Sequence, residues 1–218
     1  MKKLFIILVS VALSVSVVSA QTKDTVSVDF SGDVAYYSKN LSTFTGLMFG
    51  EEPALVTHMN VGANYKKFNI SAAYSGQLGI QHLTDGDRFN MLDLSLSYSV
   101  SEELNLSAGY ELTYTDNEHD EFGHGVFAMA MFHKDRVSST AIFFSDPKIQ
   151  NTYYIGSVDL QVGKNVGIYT LAGYTNTKDT PLYGLIGLKY KKGGFFAGTY
   201  WVFDKDNPGP VVSVGLSF

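Results

Sequence analysis

The chain has no cysteine. A disulfide framework is therefore excluded, and so is a lipoprotein anchor, which needs a cysteine at its cleavage point. Beyond the first twenty residues no run of 18 apolar residues occurs, so no helical membrane span is expected. Proline is scarce, five in 218 residues. Pro53, Pro147, Pro181 and Pro208 fall in or beside connections and Pro210 opens the last alternating run, so none interrupts a strand interior. Basic side chains are the minority, 16 against 21 acidic, for a net charge of −5. An acidic chain of this kind is a poor partner for nucleic acid. There is no Gly-x-Ser-x-Gly elbow, no phosphate-binding glycine loop and no His-Glu-x-x-His helix motif.

What is present begins with an export signal. Lys2 and Lys3 precede an apolar run from Leu4 to Val18, followed by the small-residue site Val18-Ser19-Ala20. This layout predicts a cleaved signal peptide over residues 1–20 and a single domain over 21–218. Mean hydropathy is only +0.02. That value suits a membrane β-barrel, whose strands alternate lipid-facing and lumen-facing residues and so average out. Fourteen tyrosines, fifteen phenylalanines and Trp201 are enough to build aromatic girdles at both membrane interfaces.

Period-two alternation recurs along the mature chain and predicts strands. Leu55, Thr57, Met59, Val61, Ala63 and Tyr65 form one face of a strand whose other face carries His58, Asn60, Gly62 and Asn64. Leu92, Leu94, Leu96, Tyr98 and Val100 oppose Asp93, Ser95, Ser97 and Ser99. After a short turn come Leu104, Leu106, Ala108, Tyr110 and Leu112. Placing Val100 opposite Leu104 aligns five apolar pairs, and a slip by one residue would reverse every face. The same register sets Asp93 opposite Glu111 on the other, lumen-facing side.

Further runs centre on residues 26–38, 126–132, 136–145, 152–162, 166–175, 182–190, 195–203 and 211–218, which brings the count to about twelve, with ten to twelve as the range. Connections alternate between long (39–53, 82–88, 116–124) and short (66–67, 101–103, 133–135). Long outer loops and short periplasmic turns are the pattern of an all-β, up-and-down antiparallel transmembrane barrel. Such a strand number predicts a narrow pore. Loop 39–53 carries Phe44, Leu47, Met48 and Phe49 and is expected either to fold into the mouth or to pack against neighbouring loops.

The last segment, Val212, Val214, Leu216 and Phe218 alternating with Ser213, Gly215 and Ser217, resembles the C-terminal assembly signal of Gram-negative outer-membrane barrels. The resemblance implies recognition of Phe218 by the barrel-assembly machinery, and a setting of outer-membrane lipid and lipopolysaccharide. Gly32-Asp33-Val34-Ala35-Tyr36-Tyr37-Ser38, the loop that runs to Pro53-Ala54, and Asp93-Leu94-Ser95-Leu96-Ser97-Tyr98 resemble the TorF family of porin-like barrels. That family shows an Arg-Gly step after its first strand, where this chain reads Phe44-Thr45-Gly46-Leu47. The resemblance implies passive passage of small solutes.

Candidate pore-lining residues are Asp93, Glu111, Asn60, Asn64, Ser95, Ser97 and Lys189. Two carboxylates at adjacent cross-strand positions repel unless a cation, a shared proton or a lysine such as Lys189 relieves them, and fixed negative charge in a narrow lumen favours cations. The segment from Asp116 to His124 holds His119 and His124 among carboxylates, and His58 and His82 are placed near the same rim. Its spacing fits no defined metal motif, so neither a metal nor another cofactor is assigned. A barrel enzyme would need a serine and a histidine within hydrogen-bond reach, and no pair is singled out, so no catalytic residue is assigned. A lipocalin-like binding barrel is the third possibility, but it predicts larger apolar interior residues than Asn60, Asn64, Ser95, Ser97 and Ser107.

Overall fold

Alternating side chains become twelve strands in a computed structural model that describes residues 26–38, 53–77, 88–116, 121–146, 151–176, 182–203 and 208–218. The strands are β1 (Ser27–Tyr37), β2 (Ala54–Tyr65), β3 (Phe68–Gln77), β4 (Arg88–Ser99), β5 (Leu104–Asp116) and β6 (Glu121–Lys134). They continue with β7 (Val137–Asp146), β8 (Asn151–Gln161), β9 (Val166–Thr175), β10 (Leu182–Lys192), β11 (Phe195–Phe203) and β12 (Gly209–Ser217). Each pairs antiparallel with the next, and β1 pairs with β12 to close the barrel. Closure leaves no unpaired strand edge, which is the condition for placing a sheet in lipid.

Three two-residue turns join hairpins at one end: Lys66-Lys67, Asp135-Arg136 and Gly193-Gly194. Their first residues take left-handed φ values of 54°, 52° and 60°. A left-handed first residue matches the twist of a tight hairpin. The β4–β5 register is the expected one, with Leu92 opposite Leu112, Asp93 opposite Glu111 and Tyr98 opposite Leu106. Val100 N donates to Leu104 O at 2.9 Å and closes that turn. Strands β4, β5 and β6 run further outward than the alternation predicts, and Arg88 still pairs with Asp116. Main-chain pairing needs no apolar side chain, so the ladder continues where the hydrophobic pattern stops.

The outward face is apolar. Ile70, Leu94, Leu96, Leu106, Val126, Val158, Ile186, Leu188 and Val212 are all exposed, and among the described side chains only those of Lys134 and Lys192, at strand ends, carry charge on this face. Tyr65, Phe68, Tyr98, Tyr190 and Phe195 gird the short-turn end, and Tyr36, Phe143, Tyr154, Tyr174, Trp201 and Phe203 gird the other. An apolar band between aromatic girdles, on strands of 9 to 14 residues, is the surface of a membrane-spanning barrel.

The inward face differs from the sequence expectation. Strands β1 to β5 line the interior with Asp33, His58, Asn60, Asn69, Ser71, Ser75, Asp93, Ser95, Ser97 and Ser107, and hydroxyls meet across strands at Ser71–Ser95 (2.8 Å) and Ser97–Ser107 (2.6 Å). Strands β6 to β12 instead turn large apolar residues inward. Leu185, Val202 and Val211 pack with Tyr37, Tyr169, Leu171 and Tyr200, while Ile142, Ile155 and Tyr183 pack with Met129 and Leu171. Apolar packing is thus concentrated on the β6 to β12 side, where Asp159, Lys189 and Ser213 also face inward.

Glycines on the inner face receive neighbouring rings. A Cβ at Gly109 would lie 2.4 Å from Phe127 Cζ and 2.4 Å from Leu94 O. Replacing Gly109 by valine is expected to cost about 1–3 kcal/mol by overpacking and to lower the urea midpoint of the refolded barrel. Gly156→Ala is the control, since a Cβ there meets nothing within 4 Å. Equal midpoints for the two variants would show that the Phe127–Gly109 packing is dispensable.

Candidate lumen site

Strands β4 and β5 bring the two central carboxylates together. Asp93 and Glu111 are opposite each other in the ladder and are only 3% and 2% exposed. Cross-strand neighbours hold their Cβ atoms about 4.5–5.5 Å apart, close enough for strong mutual repulsion when both are ionised.

Asp93 lines a cavity of about 870 Å³. Its wall on β1 to β4 is polar, with Ser31, Asp33, His58, Asn60, Ser95 and Ser97, and Phe127, Met129 and Met131 of β6 line it as well. Lys191, Gly193 and Gly194 lie at the short-turn rim, next to Ser217 and Phe218. Asp33 is held by His58, Nδ1 to Oδ1 at 2.8 Å.

The sequence candidates fall into three groups. Asn60, Asp93, Ser95 and Ser97 line this cavity. Glu111 faces inward beside Asp93, and Asn64 faces inward nearer the short-turn end, where it donates to Asp29 and accepts from Asn69 at 2.8 Å. Lys189 does not relieve the carboxylate pair. It stands on β10, across the barrel from β4 and β5, and forms an ion pair with Asp159 of β8. Its Nζ also lies 5.7 Å from the Tyr169 ring.

The histidine expectations hold in part. His58 stands in the half of the barrel nearer the long connections, as expected, and turns inward to its Asp33 partner. His124 belongs to β6, on the face opposite the lumen, where its ring stacks on Tyr110 at 5.9 Å. His82, His119 and the segment 39–52 lie outside the described residues. One serine–histidine pair escaped the sequence reading: His133 Nδ1 and Ser138 Oγ are 2.7 Å apart at the β6–β7 hairpin. Both are directly opposed in the ladder, and only the register set by the Asp135-Arg136 turn brings them together. No carboxylate orients this imidazole among the described residues, so the pair lacks the third group of a nucleophilic triad.

No protein-family model matches the chain, and no curated protein matches it by sequence. Solved structures do match its fold, and they define the architecture: a closed antiparallel β-barrel like those of outer-membrane proteins. The KdgM porin superposes with a TM-score of 0.60 at 12% identity, covering 86% of this chain and 99% of that one. The NanC porin gives 0.54 at 8% identity, covering 87% and 99%. Outer membrane phospholipase A from Escherichia coli gives 0.56 at 10% identity, covering 87% and 96%. One barrel architecture therefore carries both channels and an enzyme, and the site must decide between them.

Proposed function

We propose that this protein is a porin-like channel of a Gram-negative outer membrane, passing small solutes along the polar wall of its lumen with a preference for cations. The observation that carries this reading is the cavity of about 870 Å³ that reaches the short-turn end and is lined on β1 to β4 by serines, asparagines and carboxylates. Polar side chains replace part of a solute's hydration as it moves, and Asp93 with Glu111 supplies negative charge midway along β4 and β5. The apolar packing of Leu185, Val202 and Val211 narrows the other half, so passage runs beside β1 to β5.

Two independent likenesses agree with this reading. The KdgM and NanC structures share the fold, and one KdgM structure is a complex with disordered oligogalacturonate. The TorF-like segments of β1 and β4 belong to the polar wall. A small solute is the partner of the lumen, and outer-membrane lipid with lipopolysaccharide is the partner of the apolar band.

Reconstitution in a planar bilayer tests the proposal. Stepwise conductance from refolded protein, with reversal potentials on the cation side under a salt gradient, is the expected result. A correctly refolded barrel that gives no channel events at any voltage would turn the reading toward a structural or catalytic role.

A further inference from the structure

The charges at the short-turn end run against the composition of the chain. Acidic residues exceed basic ones overall, 21 to 16. In the short connections and the strand ends beside them the order reverses: among the described residues Lys66, Lys67, Lys134, Arg136, Lys164 and Lys192 outnumber Glu102, Glu103 and Asp135. Glu103 is already paired with Lys134 at 2.9 Å. Lys191 is set apart from this group, because it lines the cavity inside the barrel.

Three of these cations are built into the aromatic girdle. The Lys66-Lys67 turn sends its side chains to two exposed rings: Lys66 Nζ lies 5.0 Å from the centre of the Tyr65 ring, and Lys67 Nζ lies 5.9 Å from that of Tyr98. Phe68 packs on Tyr98 at 5.1 Å, so the second lysine stands beside a pair of lipid-facing rings. Lys192 takes the outward register of β10, two residues beyond Tyr190 and opposite Phe195. Attraction to ring faces and burial of the methylene stems along apolar surface hold the ammonium groups at the edge of the apolar band, level with lipid headgroups. At the other girdle, around Tyr36, Tyr154, Tyr174, Trp201 and Phe203, no lysine or arginine side chain stands among those described.

We propose that the short-turn girdle is a docking surface for anionic phospholipids, whose phosphates meet Lys66, Lys67 and Lys192 while their acyl chains lie on the apolar band. A zwitterionic headgroup carries a cation of its own, which the lysines repel, whereas an anionic one brings net charge of the complementary sign. Short turns of such barrels face the periplasm, so the surface belongs to the inner leaflet. The proposal rests on the membrane-barrel part of the proposed function and adds to it a lipid class and a leaflet.

Quenching of tryptophan by brominated lipids, on the whole protein refolded in phosphatidylcholine vesicles, tests this assignment. Trp201, the single tryptophan of the chain, reports on the long-connection girdle, and Phe68→Trp with Trp201→Phe moves the reporter beside Lys67. At position 68 brominated phosphatidylglycerol is expected to be preferred over brominated phosphatidylcholine by about threefold or more, with no preference at Trp201. At 1 M salt the Debye length is about 3 Å, and the preference at position 68 should fall to near unity. Lys66→Gln with Lys67→Gln should have the same effect at low salt. Equal quenching by the two lipids at position 68, or an undiminished preference in the glutamine variant, would overturn the proposal. A preference of the same size at Trp201 would overturn its assignment to one girdle. If the glutamine variant does not refold, the salt series decides, since a preference that persists at 1 M is not electrostatic. Absence of quenching by either lipid at both reporters would instead reject the membrane-spanning barrel itself, so the two failures are told apart.

Discussion

Removing Phe218 is expected to abolish most of the folded, heat-modifiable barrel, both in refolding and in fractionated outer membranes. The reason lies at the seam. β1 and β12 pair only from Asp33–Ser217 to Tyr37–Ser213, whereas β1 and β2 pair along the whole of β1. Phe218 lengthens the short seam with two reciprocal main-chain bonds, Gly32 N to Phe218 O at 3.0 Å and Phe218 N to Gly32 O at 2.9 Å. Its ring covers Gly32, where a Cβ would lie 2.8 Å from Phe218 Cε2, and stacks on Phe30 at 6.3 Å. Two hydrogen bonds at about 1 kcal/mol each, together with the ring's contacts to Gly32 and Phe30, bring the expected loss to roughly 3 kcal/mol. That is a large fraction of a marginal stability. Phe218→Ala separates the contributions, because it keeps the main-chain bonds and loses the ring. Wild-type levels of folded barrel in the deletion would refute both the seam argument and the assembly-signal role.

The second large effect is electrical. Asp93→Asn with Glu111→Gln is expected to move the reversal potential under a salt gradient toward zero. Both carboxylates are nearly buried in the wall of a narrow lumen, where fixed charge raises the local cation concentration by about tenfold or more. Neutralising both removes that enrichment and brings cation and anion permeabilities close together. The change should be largest at low ionic strength, where the Debye length approaches 30 Å, and small at 1 M, where it is about 3 Å. The amide variants keep size and shape, so conductance itself should persist. A reversal potential that does not move in a conducting double variant would exclude these two residues as selectivity determinants.

The β4–β5 hairpin shows why some of this was legible from sequence. Leu92, Leu94, Leu96 and Tyr98 alternate with Asp93, Ser95, Ser97 and Ser99 in side chains of opposite character, so one register satisfies both faces and every other is penalised. The Asp93–Glu111 juxtaposition followed from that register alone. On β7 the signal fails: Ala141 and Phe143 face lipid while Ile142 and Phe144 face inward, and both faces are apolar. Hydropathy there marks a strand without saying which side is the lumen. The apolar wall of β6 to β12 was invisible for that reason, and the polar faces of β2 to β5 stood in for the whole interior.

The ion-pair partners of Lys189 and His58 were out of reach for a different reason. Both partners are distant in sequence, Asp159 on β8 and Asp33 on β1, and no local pattern says which side chains meet inside a barrel. The His133–Ser138 contact was missed although its residues are close in sequence, because it depends on the tight Asp135-Arg136 turn that sets them opposite.

The sequence by itself determined the strands, their order, the turns and the apolar band, since each of these is written in nearest-neighbour periodicity and solvent preference. Tertiary structure decided what the enclosed space is. Only closure of β1 onto β12 brings β1 to β5 round to face the packed side chains of the later strands, retains Lys189 on the far side with Asp159, and places Asp93 on a cavity it shares with Phe127 and Met129. Side chains that meet across a lumen interact through space between strands that are not neighbours, and no period along the chain encodes that distance.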